Sequence, residues 1–264
     1  MPSNRSIIRT EAIVLRSLDY GETSQIVTLF TREKGKLAVM AKGARRIKSA
    51  YGATLQPMAY TQVVFYYKPT RTLQTLTESS HVESFLRIRG SLEKIGLGLR
   101  IMELVAALME EEDPHPETFA LVVRILRRLN ASEARTANVW PYSQLRFASQ
   151  LGLAPSVQRE NVEAVTGERG LLSLANGGVY PLDANPRAAE TASRSALRAY
   201  AIFARADLDA VMRLELSPSV RQEVDRLVEA YLRYHFEDAY PDRSRDVIAQ
   251  LEQRADGEAS SPSP

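Results

Sequence analysis

Hydrophobic positions along this chain follow two rhythms, and the change comes near residue 80. In "KLAVMAK" (36–42), Leu37, Val39 and Ala41 alternate with Lys36, Ala38, Met40 and Lys42, the period of two expected of a strand with one buried face. "AIVLRSL" (12–18) and "SQIVTLF" (24–30) are rich in branched residues and flank a turn at Asp19-Tyr20-Gly21. "TREKGK" (31–36) reads as a hairpin connection in which Gly35 is free to take a positive φ. "AYTQVVFYYK" (59–68) and "TLQTLTE" (72–78) supply a fourth and a fifth strand about the turn Lys68-Pro69-Thr70-Arg71. Five short strands, tight turns and one longer loop (43–57) fit a small closed barrel of the oligonucleotide-binding type. An SH3-like barrel or a plain meander fits the count as well.

From residue 83 the period is helical. Leu92, Ile95, Leu99, Met102, Ala106 and Met109 form one stripe, and Leu97, Ile101, Leu104 and Leu108 a second. A helix apolar on two faces is expected to be buried on both, which predicts the central helix of a second module. "EEEDPHP" ends it at Pro114 and Pro116. The next helix buries Phe119, Val122, Leu126 and Leu129, and a third covers about 137–151 and stops at Gly152. Residues 152–186 are loop-like, with strand traces at "NVEAV" and "GLLSL". Helices resume at about 187–206. The last long one carries Val220, Val224, Leu227, Tyr231 and Tyr234, with Ser217-Pro218 as N-cap and first position. A short helix near 244–253 leads into "RADGEASSPSP", which is predicted to be disordered. The pattern thus predicts a barrel domain at 1–80, a helical domain at 81–252 with a loop-rich insertion at about 152–186, and a tail at 253–264.

Charge sharpens this division. The 264 residues carry a net charge of only +2. Residues 1–80 hold 12 Lys and Arg against 5 Asp and Glu, a balance of +7, and the remainder 22 against 27, or −5. A basic first third on a mildly acidic body is the footprint of a polyanion site confined to one module. The absence of cysteine excludes disulfides and thiolate metal sites, and His81, His115 and His235 lack paired-ligand spacing. No stretch approaches the ~20 apolar residues that cross a bilayer, and "MPSNRSIIRTEA" lacks the apolar core of a secretory signal, so a cytoplasmic chain is expected.

No nucleophile elbow, phosphate loop, dinucleotide fingerprint or zincin motif occurs. The run Glu110-Glu111-Glu112-Asp113 reads as a solvated helix end, and no catalytic constellation, cofactor or metal is expected. The basic loop is a stronger candidate. Gly43 permits a sharp turn after the third strand, and Lys42, Arg45, Arg46 and Lys48 then crowd one loop, where they repel one another unless an anion sits between them. Lys36 extends the charge along the sheet, and Lys34, Lys68 and Arg71 join it if their turns share an end. Cations so arranged neutralise phosphates in a salt-sensitive way that is largely blind to sequence. Tyr51, Tyr60, Tyr66 and Tyr67 are available for base stacking, two of them more readily assigned to the core. On the helices, Arg124, Arg127 and Arg128, and likewise Arg194, Arg198 and Arg205, read first as solvated faces. The alternative is docking of an acidic peptide or a second strand.

The segment "AIVLRSLDYGETSQIVTLFTREKGKLAVMAKGARRIKS", with its Tyr-Gly-Glu turn and its Lys-Gly-Ala-Arg-Arg-x-x-Ser loop, is followed by "GATLQPMAYTQVVFYY" and "LQTLTESS". In these motifs the chain resembles the RecO family of bacterial DNA repair and recombination mediators. "QLRFASQLGLAPSV" and "YLRYHFEDAYPDRSRDVIAQL" carry the likeness more weakly, over roughly residues 8–252 in all. The resemblance implies an α+β protein, a five-stranded OB-fold barrel followed by a helical C-terminal domain, and no enzyme activity. It implies binding of single- and double-stranded DNA, annealing of complementary strands, and contacts with RecR and with the acidic C-terminal tail of the single-stranded-DNA-binding protein. It also implies a functional link to RecA and RecF and a place on the nucleoid. DNA contact falls by this resemblance on Lys42, Arg45, Arg46 and Lys48, with Gly43 added for the turn it permits and Lys36, Lys68 and Arg71 for their charge. An acidic tail would seek the arginines at 124, 127, 128 and 198. Many relatives have a four-cysteine zinc module after the segment matching "GLAPSV"; here "QRENVEAVTGERGLLSLANGGVYPLD" has no cysteine and must be held by Val162, Val165, Leu171, Leu172 and Tyr180. An acidic-peptide scaffold and an RNA-binding barrel are the rival expectations.

Overall fold

The computed structural model of the chain describes residues 6–49, 51–236 and 240. The expected helix near 244–253 and the tail at 253–264 lie outside the described residues. Five strands come first: β1 (Ser6–Tyr20), β2 (Ser24–Thr31), β3 (Gly35–Ala41), β4 (Tyr60–Tyr67) and β5 (Leu73–Glu83). They close a barrel in the order β1-β2-β3-β5-β4, with β3 and β5 parallel and the other pairs antiparallel. That is the Greek-key order of the OB-fold, so the barrel left undecided by strand count is settled by pairing. β1 is long because it serves two neighbours. Its first half pairs with β4 and its second with β2, and the register slips between Val14 and Arg16. Such a bulge bends a strand and closes the sheet.

The run "AIVL" shows how the barrel meets the rest. Ala12 and Val14 point into the barrel core, while Ile13 and Leu15 point the other way into the helical core. Phe30 and Tyr60 do the same, and their rings lie 5.9 and 6.1 Å from that of Phe119. Apolar residues on both faces of a barrel strand therefore mark the seam between the two halves.

The helical part comprises α1 (Leu86–Arg89), α2 (Leu92–Leu108), α3 (Pro116–Ala131), α4 (Val139–Gln150), α5 (Arg159–Ala164), α6 (Arg194–Arg205), α7 (Leu208–Val211) and α8 (Pro218–Phe236). A small sheet, β7-β6-β8, is formed by β6 (Arg169–Ser173), β7 (Val179–Tyr180) and β8 (Ala189–Ser193). The central helix is α4, not α2. It packs against α2, α3, α6, α7 and α8, whereas Leu92 and Leu99 of α2 remain 56% and 37% exposed. The sequence hides this because α4 buries polar groups too: the Ser143 hydroxyl donates to the Val139 carbonyl, and Gln144 donates to the Tyr240 hydroxyl.

Two local expectations are corrected. "NVEAV" is not a strand: Val162 and Val165, three apart, share the packed side of α5 and its exit, and Arg159 pairs with Glu163 at 2.7 Å across one helical turn. "AAETAS" is not the start of a helix. It pairs with β6, and Ser193 then caps α6 by accepting from the Ala196 N–H at 3.2 Å. The insertion is held by Val165, Leu172 and Val179, all buried, while Leu171 and Tyr180 face each other across β6 and β7 at half exposure. At the start of α8, the Ser217 hydroxyl accepts from the Val220 N–H at 3.3 Å. Among the described residues no helix is long and apolar enough to cross a membrane.

Candidate nucleic-acid interface

β3 ends at Ala41, and Gly43 turns the chain at φ +73°, a conformation a side chain disfavours. The loop then lies on the β1–β2 turn. The Arg45 N–H donates to Thr23 at 3.0 Å, its guanidinium donates to the Gly21 carbonyl at 3.1 Å, and its Nε sits 3.2 Å from the Asp19 carboxylate. Further bonds, Arg46 N–H to Gly43 and Ser49 N–H to Arg46, close the loop on itself. Arg45 is thus the pin that sets the loop's shape. Lys42, Arg46 and Lys48 are exposed around it, and none pairs with a carboxylate among the described residues. Ile47 stands fully exposed between the last two, at 105%.

Strand register places an apolar strip beside this loop. Leu18 pairs with Ile26, Ile26 with Met40, Met40 with Thr75, and Thr75 with Tyr66. Their neighbours Val27, Val39, Gln74 and Phe65 are buried, so this row faces outward. Leu18 and Tyr20 are 45% and 55% exposed. Arg16 flanks the strip on one side and the Lys42–Lys48 loop on the other. Bases need a surface to lie on and phosphates need cations beside it, and both are supplied here. The sequence hides the strip because the slip between Val14 and Arg16 changes the face on which the alternation continues. The available signal was the alternation Arg16, Leu18, Tyr20 against Ser17 and Asp19.

The remaining expected contacts lie elsewhere. Lys68 and Arg71 share the β4–β5 turn, bonded to each other through the Arg71 N–H at 3.0 Å. Lys34 lies 5.1 Å from the centroid of the Tyr67 ring at the end of β4, so it belongs to the same end. The Lys42–Lys48 loop is at the opposite end of β2, whose eight residues span roughly 25 Å. The turns do not share an end. Lys36 does not extend a surface patch: its ammonium donates to the Ala106 carbonyl at 2.7 Å, at the C-terminal turn of α2, where cations are favoured by the helix dipole. Of the four tyrosines, only Tyr66 is on the strip. The Tyr51 hydroxyl donates to the Leu76 carbonyl, Tyr60 is in the seam, and burial together with the hydrogen bond to Glu112 raises the Tyr67 hydroxyl pKa.

Residues 5–85 match the family model described as recombination protein O, N terminal, and residues 89–245 that described as recombination protein O, C terminal. The chain is 71% identical over 250 residues to the DNA repair protein RecO of Salinibacter ruber, covering 95% of this chain and 96% of that one. The chain belongs to the RecO family. It is also 30% identical to the DNA repair protein RecO of Chloroherpeton thalassium, covering 93% of this chain and 99% of the other. The RecO protein of Bacillus pumilus is 31% identical, over 85% and 88% of the two chains. The two family segments meet between β5 and α2, where the barrel gives way to helices.

On the helical side of this RecO-family fold, two of the four arginines considered for peptide docking are held in ion pairs. Arg127 binds Glu83 at 2.7 Å in the seam, and Arg128 binds Asp209 at 3.2 Å. Arg124 and Arg198 are exposed on α3 and α6. A cleft of about 450 Å³ lies elsewhere, between Arg135, Leu214, Leu216 and Arg221. There the Arg221 guanidinium bonds Asn138 with one nitrogen and leaves Nη1 without a hydrogen-bond partner among the described residues.

Proposed function

We propose that this RecO-family protein is a non-catalytic recombination mediator. It binds single- and double-stranded DNA on its barrel, anneals complementary strands, and helps load a recombinase onto DNA covered by the single-stranded-DNA-binding protein. The observation that carries this reading is the loop of Lys42, Arg46 and Lys48, pinned by Arg45 beside the Leu18–Ile26–Met40 strip. Two phosphate backbones repel, and cations presented on a fixed loop lower the cost of their approach. Stacking on the strip holds bases unpaired but displayed. RecR, RecF and RecA are the partners of the same reading. For the acidic tail, the cleft at Arg135 and Arg221 sets cations beside the apolar Leu214 and Leu216, and the tail's carboxylates would replace Glu215, which lines the same cleft and pairs with Arg135.

The test is annealing of two complementary labelled strands by wild type and by Lys42→Glu/Arg46→Glu/Lys48→Glu, with circular dichroism as the check on folding. Wild type accelerates duplex formation, and the folded variant loses about tenfold or more of that acceleration in 50 mM salt. A folded variant that anneals as well as wild type refutes the site. In the same samples a labelled acidic peptide is expected to bind both proteins equally, since its cleft is on the helical side.

A further inference from the structure

The acidic run Glu110–Asp113 is not a loose helix end. β5 pairs with β3 only at Ala38, Val39 and Met40, so the outer edge of β3 at Gly35–Leu37 has no barrel strand beside it. The segment between α2 and α3 takes that edge. Glu111 bridges Lys36 in parallel, and the Glu112 N–H donates to the Lys36 carbonyl at 2.8 Å. Gly35, at φ +62°, lets the Asp113 backbone in so closely that a Cβ would collide with its carbonyl oxygen. The Tyr67 hydroxyl donates to the Glu112 carboxylate at 2.9 Å, and Glu112 itself holds a left-handed φ of 59° to stay in place. Four carboxylate side chains, all exposed, are thereby built into the barrel wall at the end where Lys34, Lys68 and Arg71 stand.

We propose that Glu110–Asp113 is a charge fence that ends the DNA track. Resting on the DNA reading above, it assigns the polyanion to the β1–β2 turn and the Lys42–Lys48 loop and turns it away from the Lys34–Lys68–Arg71 end. A phosphate chain continuing over β3 meets four exposed carboxylates on a segment tied to β3 through Glu111 and Glu112, and these offset the pull of the cations standing at that end. The strand therefore leaves the barrel after a short footprint, and its bases beyond that point are free to pair. Strand edges at this position are usually protected against another strand. Here the protecting segment also carries the charge that repels nucleic acid.

The test is fluorescence anisotropy of labelled oligo-dT of increasing length with the full chain in 50 mM salt. The fence variant is Glu110→Gln/Glu111→Gln/Asp113→Asn, which keeps Glu112 and the backbone pairing. Glu160→Gln/Glu168→Gln/Asp183→Asn, three exposed carboxylates elsewhere, controls for net charge. In wild type, Lys68→Glu/Arg71→Glu weakens binding by less than about twofold, and Lys42→Glu/Arg46→Glu weakens it by about tenfold or more. The fence variant binds about threefold or more tighter than the control variant and occludes more nucleotides, and in it the Lys68→Glu/Arg71→Glu pair costs about fivefold. The fence alone is overturned if the fence and control variants bind alike while the loop variant is weakened. It is overturned too if Lys68→Glu/Arg71→Glu harms wild type as much as the loop variant does. If the loop variant binds as wild type does, the DNA reading falls and the fence with it.

Discussion

The interiors of the barrel and of the helical half are built on different terms. Inside the barrel the side chains are mostly apolar, from Val14, Val27 and Leu29 to Val63, Phe65 and Leu76, and none is ionisable. Thr10, Thr31 and Thr61 are buried beside them, and the Thr61 hydroxyl has no hydrogen-bond partner among the described residues. Its buried amide, Gln74, is satisfied by turn backbone: it accepts from the Lys68 N–H at 2.9 Å and donates to the Lys68 and Arg71 carbonyls. The helical half instead buries polar and ionisable groups whose needs are only partly met. Glu103, Gln144, Tyr200, Arg221 and Asp225 each have a buried atom with no hydrogen-bond partner among the described residues. A closed barrel satisfies its own backbone and can leave its interior dry. Helices that meet around α4 must place their polar faces somewhere, and some of those faces meet one another. The barrel is thus free to devote its charge to its surface, while the helical half ties part of its charge into its own stability.

The largest test of this contrast asks whether the two interiors unfold separately. Phe119 is 2% exposed and fills the seam against Phe30 and Tyr60. Phe119→Ala is expected to lower stability by about 3–5 kcal/mol, the range for a buried phenylalanine truncated in a packed site. Because it loosens the helical core where the barrel docks on it, it should split one thermal transition into two by calorimetry. A single transition, shifted down, would mean that the contrast in composition has no counterpart in cooperativity.

The next test concerns pH. Burial raises the Asp225 carboxyl from 3.8 to about 6; Arg221 and Arg100 oppose that rise and Glu229 adds to it. An acid whose folded pKa lies above its unfolded value keeps its proton longer when folded. The folded state carries no penalty below about pH 4. The penalty grows as pH rises through 4 to 6 and is complete above, at most about 3 kcal/mol. Asp225→Asn should therefore be the more stable protein at pH 8, by about 1–3 kcal/mol, and should match wild type near pH 4. Urea melts across that range decide it. A variant less stable than wild type at pH 8 would show that pairing with Arg221 outweighs desolvation. No such slope is expected from barrel substitutions, where the interior has nothing to titrate.

The same difference explains what the chain announced and what it kept hidden. Strand periodicity in "KLAVMAK" was legible because a buried face alternates with a partly exposed one. α4 was misjudged because Ser143 and Gln144 are buried with partners, which erases the stripe. β8 was missed because its alanines favour a helix until β6 offers an edge. At the interface, the cations of the loop could be read locally, whereas the place of Lys36, Lys68 and Arg71 depends on which strands are neighbours. No local pattern encodes the parallel pairing of β3 with β5 or the arrival of Glu111 beside Lys36. The outward strip was obscured by the slip between Val14 and Arg16, which changes the face on which the alternation continues.

The finest test separates the two jobs that arginine and lysine perform on one loop. Arg45 and Asp19 form an exposed pair, with 39% and 59% of their side chains in solvent, and such a pair contributes about 0.2–1 kcal/mol. Arg45→Ala should scarcely change the melting temperature. It should weaken DNA binding by about two- to fivefold, because an unpinned loop must be ordered on binding. Its salt dependence should not change, since the guanidinium was held by Asp19 and the Gly21 carbonyl and neutralised no phosphate. Lys48→Ala should do the reverse. Losing one phosphate contact lowers the slope of log K against log salt by about 0.7 on a single strand, whatever it does to the loop's order. Titrations from 50 to 200 mM salt distinguish the two. Equal loss of slope in both variants would make Arg45 a phosphate contact that exchanges Asp19 for DNA. The rigid loop would then give way to one that opens on binding, and the barrel, like the helical half, would hold part of its charge in internal pairs.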